Sequence, residues 1–392
     1  MKILLFSSTN YPHVGGQSTH MEKLGDAFVR LGHEVEYLSP SDTPPLTMLA
    51  LRKSASLLRR LFGPWLWVIY YLYGLTFLLS WLAMNRIRKH GFEIVHTQDP
   101  IAFASTPFGR KAVSHKVFLT IHGYFAYESV AGRARKDSFM WSFLRKMELR
   151  AYHGANLIFA VDEGIRSYVE SFGVDLDKIV VLRNFVDTDE FSPAESKEPF
   201  RREFSINSEK FVVLCPRRLV RKCGVIYAAY AAKKLRDFLG TDFLLLFAGE
   251  GSEGERIAQY ANENGLQENI VLMGNVPHER MSSLIRAANA VVIPSVTIGI
   301  EREATSISAL EAMASGVPVV ASDIGGLSEL IRNEETGYLV PERDDFAIAK
   351  VLYKIATENQ TVLTKEARKE VVSKYSHIER AKEVLRFYEG AS

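Results

Sequence analysis

A chain of 392 residues is too long for one ordinary hydrophobic core and predicts two domains of about 190 residues each. With 47% hydrophobic and 24% charged residues it has the balance of a soluble globular protein, and its two cysteines, Cys215 and Cys223, have no His or Cys companions at zinc-ligand spacing. That excludes a disulfide framework and fits a reducing cytoplasm, with no metal site expected. The net charge of +2 is unevenly spread: residues 45–160 hold sixteen Lys and Arg against five Asp and Glu, a net +11, which leaves −9 for the remainder. An anionic partner is therefore expected on the first domain, either a membrane surface or a phosphate-bearing acceptor, and not a nucleic acid.

In chain order, KILLFSS at the N-terminus lacks the basic flank and cleavage site of a signal peptide and reads as a first strand. The loop TNYPHVGGQ follows, then a helix from about Ser18 to Leu31, with Thr19 and Glu22 at capping-box spacing and Gly32 as stop signal, then the strand EVEYLS. Residues 50–90 form an aromatic and basic segment. Within it, Leu61 to Met84 carries no charge and is flanked by Arg59, Arg60, Arg86, Arg88 and Lys89. Length and flanks suit a membrane span. A span would, however, put EVEYLS and FEIVHTQ, expected neighbours in one sheet, on opposite sides of a bilayer. A helix buried on the sheet and a helix dipping an aromatic face into one leaflet both keep the sheet intact. Trp65, Trp67, Tyr70, Tyr71, Tyr73 and Trp81 favour the interfacial placement, because each ring has an apolar body and a polar tip.

Further strands are predicted at 93–97, 117–121, 156–161 and 179–182, then at 211–215, 243–249, 269–274, 290–295, 317–322 and 337–341, with helical spacing between them. The alternation predicts an α/β chain of two doubly wound Rossmann-like domains, 1–190 and 205–370. The polar, Pro-containing stretch 187–204 reads as a linker. Residues 371–392 end in an amphipathic helix whose docking site the pattern does not identify.

The most informative segment is EATSISALE, framed by Glu303 and Glu311 and set between VVIPS (291–295) and VPVVAS (317–322). It is a βαβ unit, and ligands of parallel sheets sit beyond the carboxyl ends of the strands, where helix N-termini offer N–H groups to phosphate. Glu303 falls in that loop and Glu311 lies about 12 Å further along at ~1.5 Å per residue. The two carboxylates are thereby placed at separate points along one ligand crevice, against the plainer alternative of two solvated charges. Two imitations are set aside: Asp187-Thr188-Asp189 resembles a metal-binding D-x-D but lies in the expected linker, and GEGSEG (249–254) lacks the glycine spacing of a dinucleotide fingerprint.

These motifs together resemble the large family of retaining glycosyltransferases conventionally numbered 4, which has the GT-B fold. The resemblance is carried by Gly15-Gly16 after the first strand, TIHG (120–123), NFVD (184–187), RRLVRKCG (217–224), FAGEG (247–251), VLMGNVP (271–277), IPS (293–295), and the Glu303 to Glu311 segment with PVVASDIGG and TGYLVP. It implies two domains facing across a cleft around a nucleotide-sugar donor. Gly15 and Gly16 are implied at the donor's pyrophosphate and His122 at its sugar. Arg218 and Lys222 are implied as the diphosphate clamp, Glu303 at sugar hydroxyls and Glu311 at the ribose, with Thr305, Ser306 and Ile307 lining the donor site. Many members have R-x-x-x-x-K-G; here Cys223 precedes Gly224 and the lysine stands one place earlier, which leaves Arg217 or Arg221 as substitutes.

The function this implies is metal- and cofactor-independent transfer of a sugar, with retention, to a lipid-linked or membrane-associated acceptor, by a cytoplasmic protein peripheral on the inner face of the membrane. The departing phosphate oxygen takes the acceptor's proton, so no dedicated protein base is required. A nucleotide-sugar epimerase of the same fold and a catalytically silent partner subunit are the alternatives. A nicotinamide dehydrogenase is disfavoured by the missing G-x-G-x-x-G.

Overall fold

A computed structural model describes residues 1–13, 15–62, 66–106, 116–130 and 139–390. Trp65 and the charges Arg110, Lys111, Arg133, Arg135, Lys136 and Asp137 lie outside the described residues. The chain divides into two compact units, 1–183 with 381–392, and 184–380.

The first unit runs β1 (Lys2–Phe6), α1 (Gly16–Arg30), β2 (Glu34–Leu38), α2 (Pro45–Phe62), α3 (Leu66–His90), β3 (Ile94–Thr97), α4 (Pro100–Ala104), β4 (Lys116–Ile121), α5 (Phe125–Val130), α6 (Phe139–Gly154), β5 (Leu157–Ala160), α7 (Glu163–Glu170) and β6 (Ile179–Val181). Its six strands pair in the order β2-β1-β3-β4-β5-β6, all parallel. The second unit runs α8 (Glu198–Glu203), β7 (Phe211–Cys215), α9 (Val225–Leu239), β8 (Phe243–Ala248), α10 (Gly254–Glu263), β9 (Ile270–Gly274), α11 (His278–Ala287), β10 (Ala290–Ile293), α12 (Ile307–Ala314), β11 (Val319–Ser322), α13 (Gly325–Leu330), β12 (Tyr338–Val340), α14 (Asp345–Thr357) and α15 (Thr361–Lys374); α16 (His377–Gly390) starts there and ends in the first unit. Its order is β12-β11-β10-β7-β8-β9, again parallel. Strands such as Phe211–Cys215 and Ala290–Ile293 are apolar throughout because helices cover both faces of a parallel sheet.

Two expectations are corrected. Helix α1 starts at Gly16, two residues before the predicted Ser18, with Gly15 as N-cap, so Thr19 is already helical and its hydroxyl turns back to the Gly15 carbonyl, 3.4 Å away, instead of forming a capping box with Glu22. The stretch 187–204 is no linker. Phe191 is buried in the second unit's core, Arg286 reaches the carbonyl of Ser192, and buried Arg201 spans to Ala287 O and Asn289 Oδ1. Its polar residues thus take up backbone and amide groups in a packed segment. Asp187 belongs to the same segment: its Oδ1 accepts the amides of Asp189 and Glu190, an Asx turn.

The end of the tail, whose docking site the pattern did not identify, packs within the first unit. Fully buried Tyr388 on α16 packs on Phe28 and Phe118 and its hydroxyl lies 2.6 Å from His96 Nδ1. His96 Nε2 meets Thr120 Oγ1 at 2.7 Å. A neutral imidazole with one donor and one acceptor is matched by two hydroxyls that can each give or take a proton. Burial, with a smaller contribution from His20, lowers the His96 pKa from 6.5 to about 3. The unfolded chain therefore binds a proton that the folded state refuses between these values, and stability present above pH 6.5 is lost as pH falls. From pH 7 to pH 5 this group alone is expected to cost the fold about 2 kcal/mol, read from urea unfolding at both pH values, and His96→Gln should flatten the dependence.

Candidate functional site

In each sheet the strand order reverses at one point, between β1 and β3 and between β7 and β10, and loops leaving the carboxyl ends of such strands form the binding crevice of doubly wound folds. The site residues of the second unit gather at its reversal. The loop after β7 carries Arg217, Arg218 and the 3₁₀ turn Arg221–Cys223; the loop after β10 carries Ser295 and Glu303; α12 opens at Ile307 with Ser306 as N-cap.

Glycines let these loops approach. Gly224 has φ +60°, and a Cβ there would stand 1.8 Å from the Pro294 carbonyl oxygen. Cβ atoms at Gly249 and Gly251 would lie 2.2 Å and 2.3 Å from the carbonyls of Arg217 and Leu219. The GEGSEG stretch is therefore a loop pressed against the β7 loop ahead of α10, and Leu219 N donates to Glu250 O at 2.9 Å. Gly325 and Gly326 pack under the other wall, where Gly326 N donates to Glu303 O at 2.8 Å.

Arg217 is the side chain that turns into this crevice. Its Nη2 donates to Glu303 Oε2 at 2.6 Å and to Ser295 Oγ at 3.2 Å, and lies 3.6 Å from Cys223 Sγ; Nη1 donates to Ser306 Oγ at 3.3 Å. Both side chains of the pair are only 12% exposed. Burial disfavours the guanidinium's charge, but the adjacent Glu303 outweighs it and raises the Arg217 pKa, so Arg217 is a permanent cation. Arg217 Nε is buried without a hydrogen-bond partner, and Ser295 Oγ also donates to Glu303 Oε2 at 2.9 Å, so the contacts shown for the carboxylate fall on one oxygen. The crevice thus offers a fixed cation, a carboxylate oxygen and a helix N-terminus side by side.

Of the other expected residues, Arg218 is exposed and Lys222 half-buried, its carbonyl accepting Val296 N at 3.0 Å. Thr305 is buried, and its carbonyl accepts Asn184 Nδ2 at 2.7 Å, which gives NFVD a supporting role. Glu311, in the second turn of α12, is buried with its Oε1 4.0 Å from His278 Nδ1 and is not a surface charge. Cys223 is buried beside the Arg217 guanidinium, its Sγ 3.6 Å from Nη2.

In the first unit, Gly15 adopts φ +153° as N-cap of α1 and supplies no side-chain bond, leaving the first amides of that helix uncapped. Gln17 Nε2 ties this turn to Ser7 Oγ and to the Gln98 carbonyl across the β1/β3 reversal. His122, after β4, bonds Gln98 Oε1 through Nε2 at 3.0 Å and meets the His20 ring edge-on at 4.7 Å. Burial, then His20 and His96, hold its pKa well below 6.5, so it is neutral at pH 7 and a hydrogen-bonding group rather than a cation. Gln17, Gln98, Asn184 and Ser295 were not picked out as site residues from sequence; for the last two, NFVD and IPS were the available signal.

Two family profiles match. "Glycosyltransferase Family 4" covers residues 14–190 and "Glycosyl transferases group 1" covers residues 196–372. An uncharacterised glycosyltransferase of Methanocaldococcus jannaschii is 25% identical over 99% of this chain and 98% of its own. The UDP-Gal:alpha-D-GlcNAc-diphosphoundecaprenol alpha-1,3-galactosyltransferase of Escherichia coli is 25% identical over 77% of this chain and 76% of its own. Among solved structures, Anabaena HepE in complex with UDP and glucose superposes with a TM-score of 0.74 at 15% identity over the whole of both chains, a likeness of fold.

Proposed function

The chain belongs to the group 1, family 4 glycosyltransferases and has their pair of Rossmann-like GT-B domains, and from that premise we propose that it transfers a sugar, with retention at the anomeric carbon, from a nucleotide sugar to a lipid-linked or membrane-associated acceptor. The E. coli relative, named for a diphosphoundecaprenol acceptor, favours a lipid carrier, and the neighbour solved with UDP favours a nucleotide donor. The strongest support from this chain is the Arg217–Glu303 pair at the β7/β10 reversal, whose Nη2–Oε2 contact of 2.6 Å sets a cation and a carboxylate beside the N-terminus of α12.

When the bond from the anomeric carbon to phosphate breaks, negative charge gathers on the leaving diphosphate. Arg217, exposed Arg218 and the amides opening α12 are the groups assigned to that charge. Glu303 Oε1 and neutral His122 are assigned to the donor sugar as it becomes oxocarbenium-like, and Glu311 to the ribose. The acceptor's proton passes to the departing phosphate oxygen on the face of attack, which requires no protein base. Arg217 takes over the second cation of the clamp expected from Lys222, and Gly15, Gly16, Thr305, Ser306 and Ile307 complete the donor contacts. No metal or cofactor enters the proposal, and the protein works on the cytoplasmic face of a membrane.

A panel of nucleoside diphosphates and nucleotide sugars, run with a chelator present, tests this. A donor at a hundred times its Kd is expected to stabilise the fold by about 2.7 kcal/mol, roughly 5–10 °C in melting temperature for a unit of this size. Silence across the whole panel would remove the proposal. Nucleoside diphosphate released only when acceptor is added separates transfer from epimerisation.

A further inference from the structure

Between Asp42 and Glu93 the chain has no carboxylate over fifty residues, while seven Lys and Arg fall in the same stretch. This stretch is almost wholly α2 and α3, packed on each other. Gly74 marks the close approach, since a Cβ there would meet Leu51 Cδ1 at 2.4 Å; Ser54 Oγ and Tyr70 OH lie 3.0 Å apart, and Arg59 sits over the Trp67 ring. One line of α3, Leu75, Leu79, Ala83 and Ile87, is buried against Leu4, Phe6 and Val95 of the sheet. Offset from it by two residues, about 200° around the helix, Tyr73, Phe77 and Trp81 are 61%, 73% and 51% exposed. On α2, Leu46, Leu49, Leu57 and Leu61 are also exposed.

By length and composition Trp67–His90 could cross a bilayer, yet only 17% of its most apolar window is buried, unlike a soluble core helix. Its sheet-facing line is already committed to strands on both sides of β1. Arg86, near the end of α3, is tied to Asp42 and Glu36; what remains is one apolar face with the exposed cations Arg52, Lys53, Arg59 and Arg60 on the neighbouring α2, complementary to an anionic lipid surface. The first half of α3 is also attached to the site: Val68, Ile69 and Leu72 pack on Ala126, Met140 and Leu144, and α5 begins three residues after His122.

We propose that α2 and α3 lie in one leaflet of an anionic membrane, with Tyr73, Phe77 and Trp81 in the apolar layer and Arg52, Lys53, Arg59 and Arg60 at the headgroups. This rests on the reading of a membrane-borne acceptor and specifies the surface that brings the His122 loop to it.

The test is co-sedimentation of the full chain with phosphatidylcholine vesicles, with and without phosphatidylglycerol, at low and high salt. Wild-type protein is expected to bind the anionic vesicles and to release partly with salt. F77S/W81S should weaken that binding at least about tenfold, and each charge removed in R52Q/K53Q/R59Q/R60Q about fivefold at low salt. All these residues are exposed, and an unchanged melting temperature and circular-dichroism spectrum confirm that each variant is folded. Absence of vesicle binding, vesicle binding indifferent to F77S/W81S, or a stable protein complex through this face in place of vesicle binding would each overturn the proposal. Failure here with nucleotide binding intact leaves the transferase reading standing, whereas vesicle binding without any nucleotide response would fault that reading alone.

Discussion

Arg217→Ala is expected to lower the rate of transfer at saturating substrates on the order of 100- to 1,000-fold, the loss seen when a fixed group aimed at developing negative charge is removed. The same change strands Glu303, whose side chain is only 12% exposed, so folding stability should fall as well, by about 3–5 kcal/mol for one partner of a buried pair. The two effects are separable. In Arg217→Ala/Glu303→Ala neither charge is left alone, so urea unfolding should recover most of the lost stability while transfer stays absent. Arg217→Lys keeps the charge but cannot reach Glu303, Ser295 and Ser306 together, and should fall between wild type and alanine. Rates near wild type in Arg217→Ala would assign the clamp to Arg218 and Lys222 instead.

Gly224→Ala is expected to be the most damaging single-atom change in the second unit. The added methyl cannot occupy a point 1.8 Å from the Pro294 carbonyl oxygen, and alanine resists φ +60° besides. The left-handed backbone accounts for about 1–2 kcal/mol; moving a carbonyl held between two loops should bring the total to about 3 kcal/mol or more. Because the displaced loop carries Arg217, nucleotide affinity should fall at least about tenfold. Gly32→Ala is the control: its backbone is also left-handed, φ +86°, but nothing lies within 4 Å, so it should show the conformational cost alone and leave nucleotide binding unchanged.

Much of this architecture was legible in the sequence because parallel sheets leave a strong mark. Strands covered on both faces become short apolar runs such as FVVLC and AVVI, and all twelve predicted strands form within a few residues of their expected limits. The Glu303 loop was legible for the same reason: it lies between two such runs, and chain order fixes which sheet end it occupies.

Side-chain direction was not legible. Arg217 and Arg218 are neighbours in one loop, and which of them turns to Glu303 is set by contacts with Gly249, Gly251 and Glu250, from a strand some thirty residues away. The linker expectation for 187–204 failed because polarity was read as solvent exposure, whereas Arg201 and Asp187 use theirs on buried backbone and amide groups. The return of α16 rests on Tyr388 and His96, separated by nearly three hundred residues, for which no local pattern exists. Helix α3 combines two roles that its composition could not separate, a sheet-facing line and an exposed aromatic line on the same uncharged run.

The central claim is that the Arg217–Glu303 crevice holds a nucleotide sugar by its diphosphate. Calorimetric titration of wild type and Arg217→Ala with the diphosphates of uridine, guanosine and adenosine tests it most directly. One nucleotide should bind wild type, and the variant should bind it at least about tenfold more weakly, as expected for the loss of a charge-assisted bond to phosphate. Equal affinity in the two proteins, or no heat with any of the three, would contradict it.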